Sequence, residues 1–304
     1  MSTPTETFPP LPWTEWKDTC TTLHLWTQIV GKIRLALSPM MNHWWQVPLY
    51  VTARGLSTSP IPFKNRSFQI DFDFFAHELV ILCASGSVRK VALKPRTVAD
   101  FYEAVMSALQ ELHYEVKILT QPSEIVDGIP FEKDTIHASY DAEYAHRFWR
   151  VLVQADRQLR EFRADFLGKS SPVHFFWGSF DLAVTRFSGR RAPEHPGGVP
   201  HLADWAVREA YSHEVSSAGF WPGSEMFPEA AYYAYAYPEP DGFKDFKIEP
   251  PEAYYHPDMR EFILPYDAVR NSENPDETVA KFLKTTYEAA AELANWNRAE
   301  LERK

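Results

Sequence analysis

Apolar residues recur every three or four positions in four stretches of the chain, and this spacing predicts four amphipathic helices. Boundary signals support each of them. Ser38-Pro39 stops the first helix, and Thr97 can cap the start of the second. Gly168 closes the third helix, which spans roughly residues 140–167, and Asn274 opens the fourth. The apolar faces consist of Leu23, Trp26, Val30, Ile33 and Leu37; Val98, Phe101, Val105, Leu109 and Leu112; Tyr144, Phe148, Leu152, Ala155, Leu159, Phe162 and Phe166; and Val279, Phe282, Thr286, Ala290 and Leu293.

Runs of β-branched and aromatic residues lie between the first and second helices and again between the third and fourth, and they predict strands. Each half of the chain therefore has the order helix, several strands, helix. We expect an α+β protein in which antiparallel sheet is packed by helices. The predicted strands are Leu49 to Arg54, Phe68 to Phe75, Leu79 to Ala84, Val88 to Leu93, Val173 to Arg186, His213 to Phe220, Ala231 to Tyr237 and Glu261 to Leu264.

The two halves also share short sequence pairs. Ser38-Pro39 recurs as Ser171-Pro172, and further pairs recur at separations of 132 or 133 positions. This agreement predicts an internal duplication with a pseudo-two-fold arrangement. The predicted divisions are a proline-rich N-terminal arm at 1–12, a first α+β repeat at 13–135, and a second α+β repeat with a long insertion at 136–304.

The second half is longer than the first in one region. The separation of Arg186 from Val279 exceeds that of Arg54 from Val98 by 49 positions, and much of this insertion is rich in proline and glycine. Binding groups tend to lie on long ordered loops, so the insertion favours the C-terminal half as the functional half. A disordered loop, or one that covers a dimer interface, is the alternative.

Composition narrows the classes of partner. The chain carries 31 basic and 41 acidic residues, a formal charge of −10, which disfavours nucleic acid because the phosphate backbone is repelled. No apolar run has the length of a membrane span, no signal-peptide core follows Met1, and only two cysteines occur. We therefore expect a cytoplasmic protein without a membrane partner. The abundant aromatic residues favour a well-packed interior over an aromatic-walled pocket.

Three arginines in the C-terminal half are candidates for binding an anion. Arg186 ends a predicted strand, Arg190 follows a Ser-Gly turn, and Arg208 opens a short polar segment. A guanidinium group binds carboxylate or phosphate through a planar pair of donors, so two such groups could hold an anionic ligand. Trp177 and Trp221 are the predicted walls of this pocket. Ion pairs with nearby acidic residues are the alternative interpretation.

The candidate proton-transfer groups are His213, His174 and Glu214. His213 and Glu214 are adjacent in a predicted strand, so their side chains should point to opposite faces. Asp181 and His195 complete the predicted polar lining. A histidine among aromatic residues is more often a hydrogen-bonded core residue than a catalyst, and this alternative remains open for His174.

No cofactor or metal is predicted. The ligand types for a metal are present in His174, Asp181, His195, His201, His213 and Glu214, but their spacing matches no established metal motif. Phosphate-binding loops, dinucleotide fingerprints and the nucleophile elbow of hydrolases are also missing from the sequence.

Three strings give the chain a family resemblance: Phe-Trp-Gly-Ser-Phe-Asp-Leu at 176–182, Arg-Phe-Ser-Gly-Arg at 186–190, and the segment 211–223. Over nearly its whole length the chain resembles a family of uncharacterised bacterial proteins of about this size, catalogued as a domain of unknown function. The resemblance implies a bacterial origin but brings no assigned activity.

Two functional hypotheses follow from these residues. The first is a cytosolic protein that binds a small anionic molecule in a cleft of the C-terminal half, with acid–base catalysis left open. The second is a non-enzymatic interaction or scaffold protein with a duplicated fold, for which homodimerisation is also left open.

Overall fold

The structure is a computed structural model that describes residues 7–303, and within this range the chain is α+β, with two six-stranded antiparallel sheets. Short 3₁₀ helices lie at Asn42–Trp44, Phe131–Lys133 and Phe243–Asp245. The helices are α1 (Trp13–Leu37), α2 (Val98–Glu111), α3 (Ala142–Ala164), α4 (Asp204–Ala210), α5 (Tyr266–Arg270), α6 (Pro275–Leu293) and α7 (Arg298–Leu301). The strands are β1 (Tyr50–Val51), β2 (Gly55–Ser57), β3 (Ile61–Phe63), β4 (Arg66–Asp73), β5 (Glu78–Cys83), β6 (Val88–Ala92), β7 (His174–Phe176), β8 (Asp181–Arg191), β9 (His213–Trp221), β10 (Ala231–Tyr237), β11 (Tyr254–His256) and β12 (Glu261–Pro265).

All four predicted helices are present, and the predicted caps at Ser38, Thr97 and Asn274 form, whereas the third helix ends at Ala164 with Asp165 as its C-cap, four residues before the predicted Gly168. The Thr97 hydroxyl accepts a hydrogen bond from the Asp100 backbone N–H at 3.0 Å, and the Asn274 side chain accepts one from the Glu277 N–H at 3.3 Å. Helix α1 begins ten residues before Leu23, the first residue of its predicted apolar face. Because several elements surround it, α1 buries polar as well as apolar positions, and a simple amphipathic pattern does not describe it.

The second sheet has the strand order β11-β12-β10-β9-β8-β7. The single strand predicted from Val173 to Arg186 is two strands, because the backbone turns at 177–180, where Phe180 adopts a φ of 61°. One face of this sheet packs against α3 and α6; the Tyr232 hydroxyl, for example, donates to the Gln158 side chain at 2.5 Å. The opposite face is polar in its centre, where the Thr185 and Ser217 hydroxyls lie 2.9 Å apart.

Both halves contribute to one continuous hydrophobic core. Helix α1 joins them: Trp16 packs against Phe148 of α3 in a tilted arrangement with ring centroids 5.2 Å apart, and Trp26 stacks on Phe101 of α2 at 4.4 Å. Leu11, within the predicted arm, is also buried in this core, whereas residues 1–6 lie outside the described range. None of the helices in that range combines the length and apolar character needed to cross a membrane.

The two sheets differ in topology. In the first, β1, β2, β4, β5 and β6 follow one path and β3 pairs separately with β4, whereas the second sheet is one uninterrupted path. In each half six strands lie between two long helices, but the second half adds the short helices α4 and α5, so the internal duplication stays a prediction.

Candidate functional site

Alternating tyrosines along β10 form the floor of the candidate site. Because successive side chains of a strand point to opposite faces, Tyr233 and Tyr235 emerge on the same side of the sheet. The Tyr233 hydroxyl donates to a carboxylate oxygen of Asp181, and the Tyr235 hydroxyl lies 2.8 Å from that of Tyr211. Burial raises the pKa of Tyr211 to about 12, so its hydroxyl stays protonated at neutral pH.

Asp181 lies at the start of β8 and is only 7% exposed. The Ser179 hydroxyl donates to one of its oxygens at 2.5 Å, and Tyr233 donates to the other. Both oxygens therefore interact with neutral donors rather than with cations. Burial raises the pKa of Asp181 above its ordinary value in spite of these two hydrogen bonds.

Two glutamates share the surroundings of Asp181. Burial, with the Asp181 charge as the second cause, raises the pKa of Glu124 to about 7 and that of Glu261 to about 8. Solvent nevertheless reaches both side chains: Glu124 is exposed and Glu261 is half-buried. We call this group of side chains the carboxyl recess and define it by its residues: Asp181, Glu124, Glu261, Tyr211, Tyr233 and Tyr235.

A polar stripe on α1 holds the segment that carries Glu124. The Gln28 amide donates to the Ser123 carbonyl at 3.0 Å and accepts from the Ser123 N–H at 2.8 Å, and the Lys32 ammonium donates to the Ser123 hydroxyl at 3.0 Å. One turn earlier, His24 Nε2 lies 2.8 Å from the Gly178 carbonyl oxygen. These three side chains occur every fourth residue, so they share one face of the helix.

Gly178 allows Glu124 to approach the second sheet. A Cβ atom at this position would lie 2.0 Å from Glu124 Oε1, well inside contact distance. Lys32 is also buried near this segment, with its ammonium 5.8 Å from the centre of the Trp177 ring. Desolvation lowers the pKa of Lys32 to about 8. The first half of the chain thus supplies Glu124 beside a floor built by the second half, and the Lys32 ammonium bonds to the neighbouring Ser123 hydroxyl rather than to a carboxyl group.

Four of the residues expected from sequence lie in or beside the carboxyl recess. Asp181 is part of it. The Trp177 indole donates to the Val47 carbonyl at 2.9 Å and precedes Gly178. The His195 ring stacks on Tyr211 with centroids 4.9 Å apart. Trp221 stacks on Phe227 at 5.7 Å, in a cluster that also contains Tyr233.

The arginines do not converge on this recess. Arg186 is buried on the opposite face of the sheet, where its guanidinium lies over the Phe162 ring of α3. Arg190 pairs with Glu214 at 2.7 Å, so this pair of candidates forms an ion pair. Arg208 is on α4 and pairs with Glu194 at 3.1 Å. The single hollow expected to join Arg186, Arg208 and His213 is not formed.

The candidate histidines also lie apart. The His213 ring is 5.7 Å from that of His43, whose Nε2 lies 2.8 Å from the Lys169 ammonium. His174 is 1% exposed, and burial, helped by Arg34, lowers its pKa to about 3, so it is neutral at physiological pH. Its Nδ1 has no hydrogen-bond partner within the described residues. The catalytic roles of these groups stay predictions.

Sequence reasoning missed most of the carboxyl recess. Two signals in the sequence could have indicated it: the alternation of Tyr233 and Tyr235 along one strand, and the polar residues at every fourth position of α1. Glu124 gave none, because it lies in an irregular segment between α2 and α3.

Comparison with known proteins adds the family but no activity. Among residues 7–303, no three His, Cys, Asp or Glu side chains are arranged to hold a metal ion. No curated protein and no solved structure matches the chain. Residues 8–303 match the model of DUF5996, described as a family of unknown function, and the chain therefore belongs to that family.

Proposed function

We propose that the protein binds a small molecule bearing a protonated amine in the carboxyl recess. The observation that supports this most is that the Asp181 charge raises the pKa of both Glu124 and Glu261, and that no cation is among the causes of the pKa shift of any of the three groups. An ammonium group would supply the missing positive charge and donate up to three hydrogen bonds. The rings of Tyr211, Tyr235 and Tyr233 add the kind of aromatic surface that binds organic cations.

The raised pKa values make binding dependent on pH. A carboxyl group attracts an ammonium strongly only after it loses its proton. Because the pKa is about 7 for Glu124 and about 8 for Glu261, the affinity for the amine rises as pH increases from 6 to 9, provided that the amine stays protonated. A carboxyl group with a pKa near 7 also exchanges protons readily at neutral pH, so the same recess supports acid–base chemistry on a bound molecule.

The anionic ligand expected from the sequence does not suit this recess, because three carboxyl groups would repel it. The proposed ligand binds in the expected place, a cleft built largely by the C-terminal half, but it carries a positive charge instead of the expected negative one. Of the arginines that motivated the anion, Arg186 lies on the other face of the sheet, whereas Arg190 and Arg208 pair with Glu214 and Glu194.

Calorimetric titration with n-butylamine at pH 8.5 tests the proposal, with n-butanol as a neutral molecule of the same shape. We expect binding of the amine alone. Glu261→Gln should weaken that binding at least about tenfold, because it removes one charge-assisted contact. The matched control is Glu111→Gln, an exposed glutamate on α2 that should leave binding unchanged. Equal binding of the alcohol, or unchanged affinity in Glu261→Gln, would refute the site.

The second candidate is the interaction protein expected from the same sequence. This hypothesis is supported by exposed apolar side chains near the segment that carries Glu124. Trp205 is 56% exposed and packs on Trp44 with ring centroids 5.1 Å apart, and Val126 is 70% exposed. Failure of the recess to bind any amine would make this the favoured account.

A further inference from the structure

The 3₁₀ turn at Asn42–Trp44 has a strained backbone. His43 and Trp44 adopt φ angles of 56° and 64°, in the left-handed region that residues other than glycine rarely occupy. Such conformations cost free energy and persist only where the surrounding structure holds them. Because the His43 side chain is 5% exposed, its contacts are among those that hold this turn.

The contacts of His43 join the two halves of the chain. Its Nδ1 lies 3.0 Å from the carbonyl oxygen of Ala210, the last residue of α4, and its Nε2 lies 2.8 Å from the Lys169 ammonium. The imidazole also packs against Phe187 of β8, with ring centroids 4.6 Å apart. A residue of the first half is thus bound on three sides by segments of the second.

Only the neutral imidazole fits both polar contacts. A carbonyl oxygen can only accept a hydrogen bond and an ammonium can only donate one, so Nδ1 carries the proton and Nε2 accepts from Lys169. Protonation of His43 would place a second N–H, and a positive charge, directly opposite the ammonium. The hydrogen bond to Lys169 would then be replaced by repulsion between two cations.

The charged groups around His43 are mostly positive. The His213 ring lies 5.7 Å from that of His43, and His213 is paired across the sheet with Arg191. Burial lowers the pKa of Lys169, and no carboxylate within residues 7–303 forms an ion pair with it. Burial, with the charges of Lys169 and His213 as further causes, also lowers the pKa of His43. The Ala210 carbonyl and Glu209 oppose this shift but do not outweigh it.

We propose that the His43–Lys169 hydrogen bond is an acid-sensitive contact between the two halves of the chain, and that protonation of His43 breaks it and opens the turn Asn42–Trp44. Trp44 packs on Trp205 of α4 with ring centroids 5.1 Å apart, and opening of the turn separates these two rings. The device is independent of the proposed amine binding, because no residue of the carboxyl recess takes part in it.

Acid should open the turn below about pH 6.5. The folded-state pKa of His43 lies below the value of about 6.5 that the side chain regains when the turn opens. The contact therefore contributes its full stability above pH 6.5 and loses it as pH falls towards the folded-state pKa. Over that range the equilibrium between closed and open turn changes by up to about tenfold per pH unit.

Hydrogen–deuterium exchange of the full chain, read by mass spectrometry from pH 7.5 to pH 5 and corrected for intrinsic exchange rates, tests this proposal. The amides of Trp45 and Val47, which donate to carbonyls within the turn, report its opening. We expect the protection of residues 38–47 to fall at least about fivefold over this range. Helix α2 should keep its protection.

Three variants identify the titrating group. His43→Gln should show little pH dependence in residues 38–47, because glutamine offers a donor and an acceptor but does not titrate in this range. Lys169→Met removes the ammonium and keeps the apolar stem, so it should reduce the loss of protection in acid. His146→Gln is the matched control: His146 lies on α3, its pKa is also lowered by burial, and the variant should respond like the parent protein.

A purely structural role for His43 is the opposing interpretation. Equal loss of protection in His43→Gln and the parent protein would overturn the proposal, as would abolition of that loss by His213→Gln instead. Simultaneous loss of protection in every segment would indicate global acid unfolding and would also count against it. If His43→Gln fails to fold, Lys169→Met is compared with His146→Gln, and identical acid responses in those two variants would contradict the proposal.

Discussion

At the scale of single residues, the carboxyl groups of the recess are the most unusual chemistry in the molecule. Desolvation and the neighbouring Asp181 charge raise the pKa of Glu124 to about 7 and that of Glu261 to about 8. Neither glutamate lies in a hydrophobic pattern that could be recognised along the chain. Each depends on a contact between distant segments, which explains why sequence reasoning identified Asp181 and missed both glutamates.

Glu261→Gln should stabilise the protein at high pH. A raised pKa in the folded state contributes stability that is present below the unfolded pKa of about 4.5 and is lost as pH rises to about 8. At pH 9 the parent protein must hold a charged carboxylate, whereas the glutamine variant does not. We expect a gain in the free energy of unfolding of about 1 to 3 kcal/mol, a value reduced because Glu261 is half-buried.

Urea denaturation at pH 9 and at pH 5 measures this effect. The gain should be much smaller at pH 5, where folded Glu261 is protonated. Glu111→Gln, which changes an exposed pair with Arg89, should shift stability by less than about 0.5 kcal/mol at both pH values. A variant no more stable than the parent at pH 9 would show that Glu261 titrates normally.

At the scale of elements, α1 joins the two halves and positions the recess. Its apolar face was predictable from spacing, but its polar stripe of His24, Gln28 and Lys32 became meaningful only when Ser123 and Gly178 were seen against it. Short elements were harder to predict. Strand β3 contains Pro62 and has three residues, and α7 has four, so neither carries a full period of any pattern.

Gly31→Ala should destabilise the protein although alanine favours helices. A Cβ atom there would lie 2.2 Å from the Trp177 ring, and both elements are held by other contacts. Overpacking of this kind costs about 1 to 3 kcal/mol, which exceeds the gain of up to about 1 kcal/mol in helix propensity. Urea denaturation measures the net loss. Ser107→Ala, an exposed helical position on α2, is the control and should be neutral or slightly stabilising; equal effects at both positions would show that α1 and Trp177 are not in tight contact.

At the scale of the whole molecule, the two faces of the second sheet differ in their chemistry. One face carries the carboxyl recess, and the other packs against α3 and α6 and holds the Arg186 guanidinium over the Phe162 ring. The α+β class and the antiparallel sheets followed from the sequence, because long periodic segments and turn signals agreed. The placement of the arginines could not be predicted from the sequence. Strand alternation predicts that Arg186 and its neighbours point to opposite faces, but it does not say which face packs against the helices.

The central claim is that Glu124 and Glu261 both lie beside Asp181 and that no cation pairs with any of these three carboxyl groups within the described residues. Carbon-detected NMR titration of the glutamate side-chain carboxyl groups measures it most directly, with Glu124→Gln and Glu261→Gln used to assign the two signals. The account predicts midpoints near pH 7 and pH 8, both moving lower when n-butylamine is added. Midpoints near the ordinary glutamate value of about 4.3, unaffected by the amine, would contradict it.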